Sequence, residues 1–364
     1  MSRLTVLHVV PQDSWRGAQV YAGRLRDALA HDDTQRHVAV ALFDAPRAGL
    51  RPDLVASGRS GVARRLGLDL VATQRLRALV RRERADVIVA HGGEALKYAV
   101  IASGRVPVVY YKVGLSTAEL SRPWRRVLYT VLAQRTSMGV AVSTTVLEQM
   151  RDVLGMRPEA LRVIPNGRDP RTYHPGEATP AQRPRVLFVG QLEHGKRPEL
   201  FLDVIARLRA HDVQHDAALV GDGRLRPEVT PRAVALGVEL LGVRDDVPAL
   251  LRGAAVLVMT SAADTEGMPG VLIEAGLSGI PVVTTSAAGA ADVVLDGVTG
   301  YVVDDVESLS TRVRELLGDV RLRRSMGAQA RHRCEERFSI ESGASRWRRA
   351  ALDATSPTSA EVLR

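Results

Sequence analysis

The sequence predicts an α/β protein made of two doubly wound, Rossmann-like domains, each a parallel sheet covered by helices on both faces. Three observations carry that reading. At 364 residues the chain exceeds what one hydrophobic core usually fills, and ~150 residues per domain gives about two. Short, wholly apolar runs alternate with amphipathic stretches, as in parallel strands buried on both faces. The two halves also open alike, with strand, loop and helix beginning at residue 4 and again at residue 185.

The first half begins with the apolar run 4–10 and a loop over 11–17. Val20, Leu25, Ala28 and Leu29 then recur at near-helical spacing. Further buried strands are expected at 87–90, 106–110 and 138–142. Residues 121–135 read as a helix with Trp124, Val127, Leu128, Val131 and Leu132 on one face, among Arg122, Arg125, Arg126 and Arg135. An apolar face of that width normally packs against a sheet, which is favoured over docking on an anionic lipid surface. Arg75, Arg77, Arg81, Arg82 and Arg84 form a second basic stretch, expected to be solvated. Residues 1–165 make up this first domain.

Residues 166–184 contain Pro170, Pro175, Pro180 and Pro184 with little apolar periodicity, the pattern of a linker. The second domain, 185–337, starts with a strand at 185–190 and a loop at 191–198. Leu200, Phe201, Val204, Ile205 and Leu208 line one face of the helix that follows, and strands are expected at 217–220, 256–259 and 281–284. A helical stretch over 338–354 carries Trp347, a large side chain that needs a partner surface, and is expected to pack back on the N-terminal domain. Residues 355–364 are rich in Ser, Thr and Ala and are expected to fray.

Composition narrows the function classes. Hydrophobic residues at 45% and charged residues at 25% fit a folded soluble chain and exclude a polytopic membrane protein. The single cysteine, Cys334, excludes a disulfide framework or thiolate zinc site and points to a reducing compartment. Pro11 and Asp13 interrupt the apolar opening where a signal peptide would continue, so it reads as a strand. No run approaches the ~20 apolar residues of a membrane span. A cytoplasmic protein is expected, with peripheral contact at the inner membrane face, through the basic N-terminal domain, kept open. The net charge of +9 is uneven: residues 1–165 hold 25 basic and 14 acidic residues, and 166–364 hold 25 and 27. Only Lys97, Lys112 and Lys196 are lysines among 50 basic residues. Arginine-rich usage therefore explains part of the charge, and no nucleic-acid partner is expected.

The most informative stretch is 265–275, TEGMPGVLIEA. It follows a buried strand, and Pro269 and Gly270 stand where a helix begins. Glu266 and Glu274 flank that helix start. Its free amides and dipole would attract a phosphate, while Glu274, leaning back toward the N-terminus, suits a vicinal diol. The plainer reading is a turn followed by a dipole-complementing glutamate. His91 ends a buried strand before Gly92 and Gly93, at a carboxyl edge where ligands bind in open α/β sheets, which suggests a catalytic or acceptor-pocket role as readily as a structural strand-end histidine. His8, inside the first strand, reads as a core histidine. Gly221, Asp222 and Gly223 read as a strand-to-helix turn.

The 265–275 stretch and the tandem units together resemble glycosyltransferase family 4, retaining enzymes of the GT-B fold marked by Glu, seven residues, Glu. Further matching pieces follow in order: Arg16-Gly17-Ala18-Gln19; residues 86–91; Pro165-Asn166-Gly167-Arg168-Asp169 with Tyr173-His174-Pro175; Phe188-Val189-Gly190 with Lys196; Gly221-Asp222-Gly223; Leu241-Gly242; and Pro281-Val282-Val283. The resemblance covers nearly the whole chain. It implies a GT-B fold, two domains facing a central cleft. By that resemblance Glu274 binds the ribose of a nucleotide-sugar and Glu266 touches the donor sugar. Backbone groups of Gly267, Met268, Pro269, Gly270, Val271 and Leu272 line sugar and diphosphate, residues around Arg244 hold the base, and Lys196 meets the diphosphate. The family usually has Arg where Gln191 stands, so the missing charge falls to Lys196, the Gly17 backbone or another cation. Val113 occupies a position where many relatives carry His, and Lys112 is adjacent.

The function so implied is retaining transfer of a sugar from a nucleoside diphosphate, UDP favoured over GDP, to a saccharide, lipid-linked or small-molecule acceptor of unknown identity. Neither a cofactor nor a metal is expected. A GT-B nucleotide-sugar epimerase is the alternative within enzymes, and a basic nucleic-acid-binding protein the remote one outside them.

Overall fold

The computed structural model describes residues 3–12, 17–43, 52–57, 68–115, 120–176 and 183–356. The chain divides into two compact units, Met1–Gly167 with Ile340–Arg364, and Arg168–Ser339.

The first unit is built on a parallel seven-stranded sheet. Its strands are β1 (Leu4–Gln12), β2 (Gln35–Phe43), β3 (Leu54–Ser57), β4 (Val87–His91), β5 (Val108–Lys112), β6 (Met138–Ala141) and β7 (Leu161–Val163), in the order β3-β2-β1-β4-β5-β6-β7. Val6, Leu7, Val9 and Val10 of β1 and all five residues of β4 are buried, as wholly apolar central strands require. The helix Leu70–Arg82 is started by Asp69, whose side chain accepts from the amide of Ala72. The helix Ile340–Thr355 buries Trp347, whose Nε1 donates to Tyr21 Oη at 3.2 Å. Tyr21 lies on the helix Gly17–Ala28.

The second unit holds a parallel six-stranded sheet of β8 (Arg185–Val189), β9 (Asp216–Val220), β10 (Glu239–Gly242), β11 (Val256–Met259), β12 (Val282–Thr284) and β13 (Gly300–Val302), ordered β10-β9-β8-β11-β12-β13. The helix Pro198–Ala210 presses Phe201, Val204, Ile205 and Leu208 into a core shared with Phe188, Val256 and the helix Val306–Gly318. In this sheet the chain winds outward from β8 to β10 and returns to β11 beside β8. The carboxyl ends of β8 and β11 therefore flank a point where winding reverses, and β1 and β4 flank the equivalent point in the first unit.

Several expectations are corrected. In the helix Pro123–Gln134 only Tyr129, Leu132 and Ala133 are buried, while Trp124, Val127, Leu128 and Val131 are exposed. The apolar surface extends around the helix beyond the face that packs, and that face meets the helix Gly92–Ala102, where Tyr129 lies against Gly93, rather than the expected sheet. The segment expected to link the domains begins inside the second unit, because Arg168 pairs with Glu274 and Tyr173 is buried. That unit runs from Arg168 to Ser339 rather than over 185–337. Of the terminal residues expected to fray, 357–364 lie outside the described residues. Among those described, no helix is long and apolar enough to cross a membrane.

Candidate active site

At the reversal point of the second unit, the loop after β8 and the loop after β11 are stitched together through their backbones. Ala262 N donates to the Gly195 carbonyl at 2.8 Å, and Thr265 Oγ1 donates to the same oxygen at 3.1 Å. The approach is close: a Cβ on Gly195 would lie 2.7 Å from Thr265 Cγ2. Arg197 adopts a left-handed backbone, φ 46°, costly for a residue with a side chain. It is held there by its own guanidinium, which donates to the carbonyls of Thr260 at 2.7 Å and Ser261 at 3.0 Å. Thr260 Oγ1 in turn lies 2.9 Å from the carbonyls of both Lys196 and Arg197.

This clasp fixes the backbone from which Lys196 projects. The Lys196 ammonium pairs with Glu266 Oε1, which also accepts from Ser261 Oγ at 3.0 Å. Glu266 is four residues before the helix Gly270–Leu277, whose N-cap residue, Pro269, makes no side-chain cap bond. First-turn amides of a helix lack intrahelical partners, so this end is a locus of positive potential. One turn in, Glu274 Oε1 accepts from Arg168 Nε at 2.7 Å, both side chains being mostly buried. Gly270 makes room for that arginine, since a Cβ there would meet Arg168 Nη2 at 2.0 Å.

The neighbouring strand ends extend the same edge. Gly221 N donates to the Gly242 carbonyl at 2.8 Å, and Leu192 N to Asp222 O at 3.0 Å. Gly221 needs its missing side chain: its φ is +130°, and a Cβ would sit 1.9 Å from the Gly190 carbonyl oxygen. The structure thus gathers Gln191, Lys196, Glu266, Gly267, Met268 and Pro269 on the carboxyl-end loops of β8 and β11, and Gly270, Val271, Leu272 and Glu274 on the helix that follows β11. Gln191 is exposed, whereas Gly267, Met268 and Pro269 are buried. Arg244, after β10, is exposed and ion-paired with Asp246 at 2.6 Å. Sequence reasoning missed the role of Arg168 toward Glu274 and of Arg197 behind Lys196. The one is a contact across 106 positions, and the other depends on a backbone angle that arginine rarely adopts.

Gly17 and His91 belong to the first unit. Gly17 opens the helix Gly17–Ala28, and Arg16 lies outside the described residues. His91 is 1% exposed and does not present its ring to solvent. It ends a buried chain of imidazoles. Gln35 Nε2 donates to the Arg348 carbonyl at 2.9 Å, leaving Gln35 Oε1 to face His37 Nε2 at 3.1 Å. His37 Nδ1 meets His8 Nε2 at 2.9 Å, and His8 Nδ1 meets His91 Nε2 at 3.0 Å. With Gln35 so oriented, each neutral ring carries its proton on Nε2, and His91 Nδ1 is left as a buried lone pair with no hydrogen-bond partner among the described residues. Burial holds the His37 pKa down at about 4 and the His91 pKa at about 3, and lowers that of His8 as well. His8 is the core histidine expected of it. Among the described residues no cluster of His, Cys, Asp or Glu is arranged to hold a metal ion.

Residues 15–172 match the family described as Glycosyltransferase Family 4, and residues 183–319 match Glycosyl transferases group 1. The Vi polysaccharide biosynthesis protein VipC/TviE of Salmonella typhi is 35% identical over 42% of this chain, and the match spans 27% of that protein's length. The lipopolysaccharide core biosynthesis glycosyltransferase LpsE of Rhizobium meliloti is 28% identical over 89% of this chain and 92% of its own. Among solved structures, Anabaena Alr3699/HepE in complex with UDP-glucose is similar in fold, with a TM-score of 0.78 at 22% identity over 95% of this chain and 99% of that one.

Proposed function

The chain belongs to glycosyltransferase family 4, and from that premise we propose that it moves one sugar, with retention at the anomeric carbon, from a nucleoside diphosphate to an acceptor hydroxyl. The observation that carries this reading is the meeting of Lys196 and Glu266 where the winding of the second sheet reverses, beside a helix N-terminus whose N-cap residue is Pro269. As the bond from the anomeric carbon to the β-phosphate oxygen breaks, negative charge grows on the departing diphosphate. Lys196 and the amides at Gly270 and Val271 meet that charge. Glu266, released from Lys196 by the phosphate, is then free to orient the sugar, and Glu274 accepts from the ribose hydroxyls in competition with Arg168. The departing phosphate takes the acceptor proton on the face it leaves, which accounts for retention without a separate base.

A UDP-sugar is favoured over a GDP-sugar, in keeping with the UDP-glucose complex of the Anabaena relative. The reading requires no metal. The acceptor is assigned to the first unit, where the positive charge of residues 1–165 suits an anionic or lipid-linked molecule. A cytoplasmic location agrees with the single, buried cysteine.

The test is thermal stabilisation and slow hydrolysis across UDP, GDP and their sugars, followed by transfer with the donor so identified. Lys196→Ala is expected to lower turnover ~100-fold or more. Unchanged turnover in that variant would remove Lys196 from the mechanism. Interconversion of UDP-N-acetylglucosamine with no acceptor present would instead favour the epimerase.

A further inference from the structure

We propose that the helix Pro123–Gln134 is a docking surface for anionic phospholipid bilayers, laid flat in the interface with Trp124, Val127, Leu128 and Val131 inserted. These four side chains fall at positions i, i+3, i+4 and i+7, one stripe along a helix of 3.6 residues per turn. They are 60%, 64%, 38% and 43% exposed, so the stripe is a solvent face, while Tyr129, Leu132 and Ala133 anchor the helix to the first unit. An apolar stripe left outside when the same helix already has a buried side is the opposite of what burial of nonpolar surface favours, unless something else covers it.

Charge identifies the cover. Arg122, Arg125 and Arg126 lie at the start of the helix and Arg135 at its end, and residues 120–135 contain no aspartate or glutamate. The Arg125 guanidinium stands 5.1 Å from the centre of the Trp124 ring, which joins the cation to an aromatic of the kind that settles at headgroup level. Cations at both ends of an inserted aromatic and aliphatic stripe match a bilayer with negative headgroups, whereas an uncharged partner helix would leave those arginines without counter-charge. The helix belongs to the first unit and the Lys196 loops to the second, and its test needs no sugar transfer, so it stands or falls independently of the proposed activity.

The experiment is co-sedimentation of the full chain with phosphatidylcholine vesicles and with vesicles that also contain phosphatidylglycerol. Binding is expected to be at least ~tenfold tighter to the second and to weaken as salt rises. Trp124 emission should shift to the blue, a change absent in Trp124→Phe. The double variant Val127→Glu with Val131→Glu, both at exposed positions, should lose binding while keeping its melting temperature. Equal binding by that variant, or no preference for phosphatidylglycerol, overturns the proposal. So does a dimer by light scattering that the same variant splits, because a second copy would then be what covers the stripe.

Discussion

Lys196 is held from behind. Arg197 places a side-chain-bearing residue in the left-handed region, and its two bonds to the carbonyls of Thr260 and Ser261 help to hold that conformation. The strain is thus coupled to the contact between two loops, and the ammonium one residue earlier inherits a fixed origin. Arg197→Ala keeps the unfavourable φ and loses both bonds. We expect it to lower the stability of the second unit by ~2 kcal/mol and turnover ~10-fold or more through misplacement of Lys196. Urea midpoints and steady-state rates measured on one preparation check both parts, and intact turnover with reduced stability would separate them. At this scale the sequence is legible where chemistry is local. Glu266 and Glu274 announce themselves by spacing around one helix start, and Lys196 stands out in a chain that otherwise uses arginine. Arg168 does not, because its partnership with Glu274 exists only after the fold has closed 106 positions of intervening chain.

Among the elements, the three imidazoles of β1, β2 and β4 make the sheet of the first unit a pH-sensitive one. Each ring is neutral when folded, with a pKa below the ~6.5 of an unfolded histidine. The unfolded chain therefore takes up protons first, and the native state loses stability as pH falls below ~6.5. The loss levels off near the folded values, about 4 for His37 and about 3 for His91. Each group contributes at most ~1.4 kcal/mol per pH unit across that window. Denaturant titration at pH 7 and pH 5 should show the decline, and a flat profile would contradict the buried neutral chain. The central strands were readable because burial on both faces keeps them largely apolar, with isolated exceptions such as His8. β2 was not, since Gln35, Arg36 and His37 break its apolar run, and two of these are tolerated only by partners far away in sequence. The short edge strands β3, β7 and β13 carry too few residues to show a period. The helix Pro123–Gln134 was legible as a helix, but periodicity reports that a stripe exists without saying which stripe meets the sheet.

For the whole molecule, two units with separate cores make a single unfolding transition an unsafe assumption. Trp347→Ala empties a site walled by Tyr21, Tyr111 and His91 in the first unit, and should cost that unit ~3–5 kcal/mol. Hydrogen exchange followed by peptide should show the loss in residues 3–167 and 340–355, with protection over 183–339 retained. Uniform loss across the chain would show that the units melt together. The second unit is an uninterrupted insertion, Arg168 to Ser339, whose ends are bonded to one another, Arg168 N donating to the Phe338 carbonyl at 2.9 Å. On the ribosome this order has a cost in time. The half translated first must wait for its last helix until the other half has been made, roughly ten seconds or more at cellular elongation rates. Through that interval the pocket for Trp347 stands open in the nascent chain, and the part begun earliest is completed last.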